Sequence, residues 1–514
     1  MSERLLKSTA TVGGMTLISR ILGFVRDVVI AHSFGAGLGA DAFFVAFRIP
    51  NFLRRLFAEG AFSQAFVPIL SEYRTQRSPE QVRELVGNVS GTLGTVLMVV
   101  TAVGIVAAPV IIMVFAPGYI GQADKYALST DLLRLTFPYL FFISLTALAG
   151  GILNTYGRFS VPAFTPVLLN LSMIAATLWL APRMQQPVMA LAWGVFAAGV
   201  VQLLFQLPFL HRLGMLIRPR MSRSDAGVKR ILRLMTPALF GTSVVQINLL
   251  FDTLIASFLV TGSISWLYYS DRLVEFPLGV FGAALATVIL PTLSRNHAQG
   301  SAEDYARNLD WGLRWVMVIS TPAMLGLLIL AGPMLATLFR YGEFTDHDVD
   351  MAARSLMAFA VGLPAYIYIK VLASAFYARQ DTRTPVRIGV IAMLSNMVLN
   401  IALVFPLAHA GLALATSLSA YINAGLLYRH LVKKTGYRPQ PGWSPLLVKV
   451  ATANALMMAV LIAGSAGLPQ WLHWHLAQRA AHLTLWLAAG AAVYLIALGL
   501  MGVRPRRPRP APGN

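Results

Sequence analysis

Long apolar stretches alternate with short polar connections along the whole chain. Seven stretches carry no Asp, Glu, Lys or Arg: 85–123, 159–182, 184–210, 315–339, 388–428, 450–472 and 483–503. About 20 predominantly apolar residues cross a bilayer as a helix, so each stretch is long enough, and 388–428 holds two spans around a turn at Pro406 and Gly411. The pattern predicts an all-α polytopic membrane protein with about 14 transmembrane helices. They lie near 8–32, 39–70, 86–114, 128–154, 161–181, 187–210, 231–259, 263–293, 309–338, 350–377, 385–405, 411–431, 446–468 and 481–503.

Composition supports a membrane protein and excludes most soluble classes. The 514 residues are 57% hydrophobic and 12% charged, with a mean hydropathy of +0.66, whereas soluble domains carry about 25% charged residues. The absence of cysteine excludes disulfides and thiolate metal sites. The first apolar stretch is interrupted by Arg20 and Arg26, so we predict a retained first helix rather than a cleaved signal peptide.

The basic residues follow the connections in a regular way. With the N-terminus in the cytoplasm, most of them fall in cytoplasmic connections, and the opposite loops hold few beyond Lys125, Arg183, Arg340 and Arg479. Basic residues are enriched on the cytoplasmic side of membrane proteins, so both termini are predicted to be cytoplasmic. The net charge of +20 then reflects topology and attraction to an anionic phospholipid bilayer, and nucleic acid is not expected as a partner.

Three short segments recur at a nearly constant offset. Asp27–Ala31 resembles Asp252–Ala256 at 225, while Pro68–Ser71 and Arg158–Pro162 resemble Pro291–Ser294 and Asp381–Pro385 at 223. Helices 1–6 and 7–12 therefore look like duplicated halves. Because each half has an even number of helices, both halves have the same orientation in the membrane and are parallel repeats. Transporters built from such repeats bind substrate at the interface between them. We predict an N-terminal lobe at 1–215, a C-terminal lobe at 216–440 with a cytoplasmic connector at 212–233, and a final helix pair with a basic tail at 441–514.

Ionisable residues inside the predicted spans concentrate in helices 1, 2 and 8. They are Arg20, Arg26 and Asp27; Asp41, Arg48, Arg54, Arg55 and Glu59; and Asp271, Arg272 and Glu275, with Ser265 two turns before Arg272. Charges at membrane depth are costly and usually line a cavity or pair with one another. Spacing places Arg20 and Asp27 on one face of helix 1, with Arg26 about 120° away. It places Asp41, Arg48, Arg55 and Glu59 on one stripe of helix 2, with Arg54 off it.

The repeat indicates which of these charges the shared scaffold does not require. Arg20, Arg26 and Arg54 correspond to the uncharged Val245, Phe251 and Pro277. Because guanidinium groups pair well with phosphate and carboxylate, one interpretation is a central cationic cavity for a large anionic substrate. The other is a set of internal ion pairs that stabilise the bundle, such as Arg26–Asp27 or Arg272–Glu275.

Several segments closely resemble a known family. They are Ser19–Asp27, Gly39–Asn51, Leu53–Pro68, Ser265–Pro277 and Phe376–Pro385. These segments resemble the MurJ (MviN) lipid II flippases of the multidrug/oligosaccharidyl-lipid/polysaccharide exporter superfamily. The likeness runs from about Leu5 to Trp443, and the last two helices match in placement more than in residues.

The resemblance implies a V-shaped fold with two lobes around a cationic cavity, in the bacterial cytoplasmic (inner) membrane. It implies export of lipid II, an undecaprenyl-pyrophosphate-linked disaccharide pentapeptide, to the outer leaflet for peptidoglycan and cell wall synthesis. Alternating access is the expected mechanism, by a monomer that contacts other cell-wall synthesis proteins. The family's functional positions match Arg20, Arg26, Arg54, Arg272, Asp41, Ser265 and Glu59 here. Arg48 and Arg55 are further substrate-binding candidates from their stripe, and Asp27 and Glu275 are candidates for gating or ion pairing.

No cofactor is expected, and the energy source is predicted to be the membrane potential or a coupled ion. Some members of the family hold a sodium ion between helices 7, 11 and 12, and the matching positions here are Asp252, Asn396, Asn400 and Thr416. Oxygen ligands suit such a hard cation, but this chain offers one carboxylate where that pattern has two, because an Asp corresponds to Asn400. The alternative is a group of buried amides that hydrogen-bond between helices.

Three other functions compete with lipid II export. A cation-coupled drug antiporter of the same superfamily would favour a cavity rich in carboxylates, whereas arginines predominate here. A membrane enzyme acting on polyprenyl phosphates would need a carboxylate–metal or histidine site, and the nine His are scattered, with His473 and His475 in a loop interpreted as solvated. A scaffold is the third. No G-x-x-x-x-G-K-[ST] motif is present, so ATP hydrolysis is not expected, and a transporter is predicted rather than an enzyme.

Overall fold

The structure is a computed structural model that describes residues 3–222 and 225–503, with the backbone alone described at 3–10, 57–60, 237–238, 240–245 and 435. The predicted basic tail beyond Val503 and the side chain of Glu59 therefore lie outside the described residues. Within these ranges helix follows helix and no strand occurs, as the apolar pattern predicts. The chain forms two compact units, 1–265 and 266–514.

Among its described residues, the first unit contains ten α-helices, a π-helical segment at Arg54–Phe62 and a π-helical turn at Ala176–Leu180. The α-helices are α1 (Glu3–Phe34), α2 (Leu38–Leu53), α3 (Ser63–Gln76), α4 (Pro79–Val106), α5 (Ala108–Phe115), α6 (Ala123–Thr136), α7 (Tyr139–Thr155), α8 (Ser160–Ala175), α9 (Met189–Arg212) and α10 (Ala226–Ala256). A core of buried side chains such as Phe66, Leu85 and Ile152 joins α3, α4 and α7. Helix α10 belongs to this unit because it packs on α3 and on the π-helical segment. The three predicted lobe boundaries stay a prediction.

The connector after α9 lies along α4. Its Arg220 amide donates to the Gly87 carbonyl at 2.9 Å, and Met215 is buried in the core of the unit. At Gly91 a Cβ would stand only 2.4–2.5 Å from backbone atoms of Arg220. A glycine is therefore required where the connector crosses α4.

Gly91→Ala is accordingly expected to lower the stability of the protein by about 1–3 kcal/mol, the usual cost of overpacking, because the added methyl group pushes the connector off α4. The matched control is Gly94→Ala on the same helix, where nothing lies within 4 Å of an added Cβ. This control also measures the helix propensity of alanine by itself, which favours a helix by about 1 kcal/mol over glycine. Thermal unfolding in detergent, together with the rate of trypsin cleavage in the arginine-rich connector, checks this. Equal unfolding temperatures and equal cleavage rates in the two variants would contradict the close contact between Gly91 and the connector.

The second unit begins in α11 (Ser263–Pro277), which a π-helical segment at Leu278–Gly282 joins to α12 (Ala283–Ala298). The remaining helices are α13 (Ala302–Ile329), α14 (Ala331–Leu338), α15 (Asp346–Val361), α16 (Leu363–Tyr377), α17 (Arg383–Thr435), α18 (Trp443–Gly464), α19 (Leu468–His473) and α20 (Leu476–Leu500). The terminal pair α18 and α20 pack on each other and on α13. Arg479 of α20 is only 2% exposed and links that helix to α19 and α14, because it donates to the carbonyls of Trp471, Leu472 and Ala336.

Helix α17 is a hairpin of two helices. The backbone breaks at Ala408 with φ 48°, beside Pro406, as the sequence predicts. Lys434 at its far end donates to Asp381, just before its start, at 2.8 Å, so the two ends meet. Partial burial opposes ionisation of Asp381, but the hydrogen bonds from Lys434 and Thr384 prevail and lower its pKa to about 2.

Ten helical stretches of the described chain are long and apolar enough to cross a membrane. They are Pro79–Val106, Ala123–Thr155, Ser160–Arg183, Met189–Arg212, Ser263–Ala298, Ala302–Ile329, Asp346–Tyr377, Arg383–Lys434, Trp443–Gly464 and Leu476–Leu500. One of them is the α17 hairpin. The predicted helices at 8–32, 39–70 and 231–259 are helical but fall outside this set, so the count of fourteen spans stays a prediction.

Candidate functional site

Arg26 and Asp27 form a buried ion pair on α1. Asp27 Oδ1 accepts hydrogen bonds from Arg26 Nη2 at 2.6 Å and from Nε at 3.0 Å. Arg26 Nη1 also donates to Asn170 Oδ1 on α8 at 3.1 Å. Arg26 is 6% exposed and Asp27 1%, whereas Arg20 is exposed. Arg26 and Asp27 start from different faces of α1, but the long side chain of Arg26 reaches the Asp27 carboxylate. The predicted Arg26–Asp27 ion pair therefore forms.

Asp41 and Ser265 are brought together at the start of α2. Asp41 Oδ1 accepts from the Ser265 amide at 2.9 Å and from its hydroxyl at 2.7 Å, and Oδ2 accepts from the Gly262 amide at 2.8 Å and from Lys125 Nζ at 3.1 Å. Gly262 adopts φ 101°, a conformation that favours glycine. The Asp41 carboxylate thus lies at the N-terminus of α11, where backbone amides and the helix dipole stabilise an anion.

Lys125 is the residue of this cluster that sequence reasoning missed. The pattern of basic residues predicts it in a loop outside the membrane, but it lies in the first turn of α6 and is 1% exposed. Its ammonium also lies 4.4 Å from the centre of the Tyr119 ring. Offsets of 225 and 223 relate Asp41 and Lys125 to Trp266 and Asp348, but these residues are unlike in type, so the repeat alone does not predict the pair.

The second unit carries a polar link at the equivalent place. Trp266 Nε1 donates to Asp348 at 2.8 Å, and the Ser270 hydroxyl, one turn along α11, donates to the Ala352 carbonyl at 2.7 Å. Buried polar contacts therefore link α2 to α6 in the first half and α11 to α15 in the second. The repeat conserves the place of the link while its chemistry changes from an ion pair to an indole–carboxylate bond.

The other candidates on helix 2 hydrogen-bond to different partners, and their common stripe stays a prediction. Arg48 donates to the Thr253 hydroxyl of α10, and Arg54 Nε donates to Asn51 Oδ1 at 2.9 Å. Arg55 is exposed. The stripe assumed a regular α-helix, whereas the π-helical segment begins at Arg54, and the wider turn shifts the angular position of each later residue. π-Helical turns often occur at functional sites.

Arg272 on α11 pairs with a residue of its own helix. Its Nη1 donates to Glu275 at 2.8 Å, and its Nη2 donates to the Tyr268 hydroxyl at 3.0 Å. The guanidinium also lies 4.9 Å from the centre of the Tyr268 ring. The side chains of Arg272 and Glu275 are 33% and 49% exposed. This predicted ion pair is present and is far more accessible than Arg26–Asp27.

Three of the predicted sodium ligands meet in the second unit. Asn400 Nδ2 donates to Asn396 Oδ1 at 2.8 Å, and Asn396 Nδ2 donates to the hydroxyls of Thr416 at 3.3 Å and Ser419 at 3.5 Å. This is the amide network considered as the alternative. Asp252 belongs to the first unit. Among the described residues no three His, Cys, Asp or Glu are grouped to hold a metal, and a sodium site stays a prediction.

The chain matches one family over most of its length. Residues 30–481 match the family model described as "Lipid II flippase MurJ". A "Probable lipid II flippase MurJ" of Vibrio cholerae serotype O1 is 51% identical, over 98% of this chain and 97% of that protein. A protein of the same description from Haemophilus influenzae is 50% identical, over 95% and 98%.

Solved structures agree with the sequence relatives. "Lipid II flippase MurJ, inward closed conformation" has a TM-score of 0.80 and 27% identity, covering 95% of this chain and 98% of that one. A multidrug resistance MATE family transporter of the MOP superfamily, in an inward-facing conformation, has a TM-score of 0.66 at 14% identity, over 83% and 98%, which shows a shared fold alone. The chain is therefore a member of the MurJ family of lipid II flippases.

Proposed function

We propose that this chain moves lipid II from the inner to the outer leaflet of the bacterial inner membrane by alternating access. Membership of the MurJ family carries the proposal. The sign of the charges in α1, α11, and α2 with the π-helical segment after it supports the proposal. Arginines there suit the pyrophosphate of a lipid-linked precursor, whereas a cationic drug would favour carboxylates. The same family membership makes it a transporter rather than an enzyme.

In this proposal Arg20, Arg26, Arg54 and Arg272 bind the pyrophosphate and the carboxylates of the peptide. Arg48, Arg55 and Glu59 are further substrate contacts. Asp41 and Ser265 are the remaining substrate-binding candidates, and Asp41 accepts hydrogen bonds from Ser265. Asp27 and Glu275 are the counter-charges of Arg26 and Arg272. The protein acts as a monomer with both termini in the cytoplasm.

The membrane potential is the proposed energy source, at about 2.3 kcal/mol per charge per 100 mV, because the cargo carries net negative charge outward. Binding of sodium by Asp252, Asn396, Asn400 and Thr416 is the second candidate. Purified protein in vesicles separates the two. If voltage drives flipping, an inside-negative potential accelerates it at equal sodium on both sides, and if sodium drives it, a gradient does so at zero potential.

Arg20→Ala and Arg54→Ala are each expected to slow flipping of labelled lipid II in proteoliposomes by about tenfold or more. This is the loss of one hydrogen bond to a charged group, worth about 1.5–3 kcal/mol. Arg307→Ala is the matched control, because Arg307 is a 43% exposed arginine paired with Glu303 and Asp304. Unchanged flipping in Arg20→Ala or Arg54→Ala would remove that residue from the site, and slowed flipping in the control would show a general effect of charge.

A further inference from the structure

Asn170 reaches across α1 and orients Arg26. Its Oδ1 accepts from Arg26 Nη1 at 3.1 Å, and its Nδ2 donates to the Ser19 carbonyl at 3.0 Å. Ser19 and Arg26 are two helical turns apart. Between them lies Gly23, where a Cβ would stand 3.6 Å from Asn170 Nδ2, so the amide lies directly against the helix. Asn170 is 5% exposed, and these two bonds fix the direction of its amide.

Asp27 occupies the edge of the Arg26 guanidinium that an anion would use. Nε and Nη2 both donate to Asp27 Oδ1, and adjacent N–H groups of this kind are those that bind phosphate or carboxylate in bidentate fashion. A buried guanidinium needs a counter-charge. An incoming phosphate at this edge therefore has to displace Asp27 or share the arginine with it.

We propose that Asp27 competes with the substrate pyrophosphate for Arg26, and that Asn170 is a positioning residue that holds the guanidinium in place during the exchange. The inference rests on the proposed role of Arg26 in binding lipid II. Arg26 then has an anionic partner both when the site is empty and when it is loaded. The return of Asp27 to Arg26 helps to release the substrate after it has crossed.

Asp27→Asn tests the competition. Without the competing charge, labelled lipid II is expected to bind about tenfold more tightly, the change that one hydrogen bond to a charged group is worth, while flipping becomes slower because release is slower. Asp27→Glu is expected to restore both values toward those of the wild type. General damage to the fold would weaken binding and flipping together, so the opposite signs identify competition. Weaker or unchanged binding in Asp27→Asn overturns it.

Asn170→Asp tests the same idea if Asp27→Asn does not fold. A second carboxylate beside Arg26 is expected to weaken binding of lipid II about tenfold, and unchanged binding overturns the competition. Asn170→Leu tests the positioning role and is expected to weaken binding about fivefold.

A double-mutant cycle separates positioning from packing. If Asn170 acts through Arg26, Asn170→Leu has no further effect on binding in an Arg26→Ala protein. If the effect persists there, Asn170 is only a packing residue and the inference fails. If Arg26→Ala alone binds lipid II as tightly as the wild type, the proposed function of Arg26 fails instead, so the two failures are distinguishable.

Discussion

Replacing Arg272 with alanine is expected to slow flipping of lipid II by about a hundredfold, as the loss of a bidentate, charge-assisted phosphate contact implies, while the protein stays folded. The two effects separate because the pair with Glu275 is partly exposed, with side chains 33% and 49% accessible. Exposed ion pairs contribute under about 1 kcal/mol to stability. Arg272 therefore does little for the fold, and its contact with Tyr268 holds an accessible guanidinium in place.

Two further variants of this site give the controls. Glu275→Gln removes the counter-charge and is expected to keep most of the activity, because the arginine remains. Arg272→Lys keeps the charge but loses the planar fork, so intermediate flipping is expected. The measurement is the rate of labelled lipid II transfer in proteoliposomes, with thermal unfolding in parallel. Full activity of Arg272→Ala would exclude this residue from the substrate path, whereas a large fall in its unfolding temperature would assign it to the bundle.

The sequence predicts the helices best where a long apolar stretch contains no charged residue. The charge-free stretches correspond to α4, α8, α9, α18 and α20, and the turn predicted from Pro406 and Gly411 is the break at Ala408. Helix 2 was harder. Local propensity does not distinguish an α-helical from a π-helical hydrogen-bond pattern, so the π-helical segment at Arg54–Phe62 is visible only in the structure.

At the candidate site the sequence predicts the sign of the charges but not most of their partners. The sequence predicts only the ion pairs between residues close in the chain, Arg26–Asp27 and Arg272–Glu275. The partner of Arg26 on α8 lies 144 residues away and that of Asp41 on α6 lies 84 away. Contacts at such separations depend on how helices pack, and a single sequence carries that information only through its repeat.

Lys125→Met is expected to destabilise the protein by about 3–5 kcal/mol, the usual cost of removing one partner of a buried ion pair. Lys125 and Asp41 are each 1% exposed, so neither charge has access to solvent. Asp41 would keep its hydrogen bonds from Gly262 and Ser265, but these donors are neutral. The methionine has a similar length and fills the place of the ammonium against the Tyr119 ring, so the loss measures charge rather than volume.

Arg134→Ala on the same helix α6 is the matched control, because the ion pair of Arg134 with Asp131 has side chains 47% and 58% exposed; its removal is expected to cost less than about 1 kcal/mol. The double variant Lys125→Met/Asp41→Asn replaces both charges, so it is expected to be more stable than Lys125→Met alone, since no uncompensated charge remains buried. Chemical denaturation in detergent measures all four proteins. Equal losses of unfolding free energy in Lys125→Met and Arg134→Ala would contradict a buried ion pair between Lys125 and Asp41. A double variant that is no more stable than Lys125→Met would mean that Lys125 acts through packing alone.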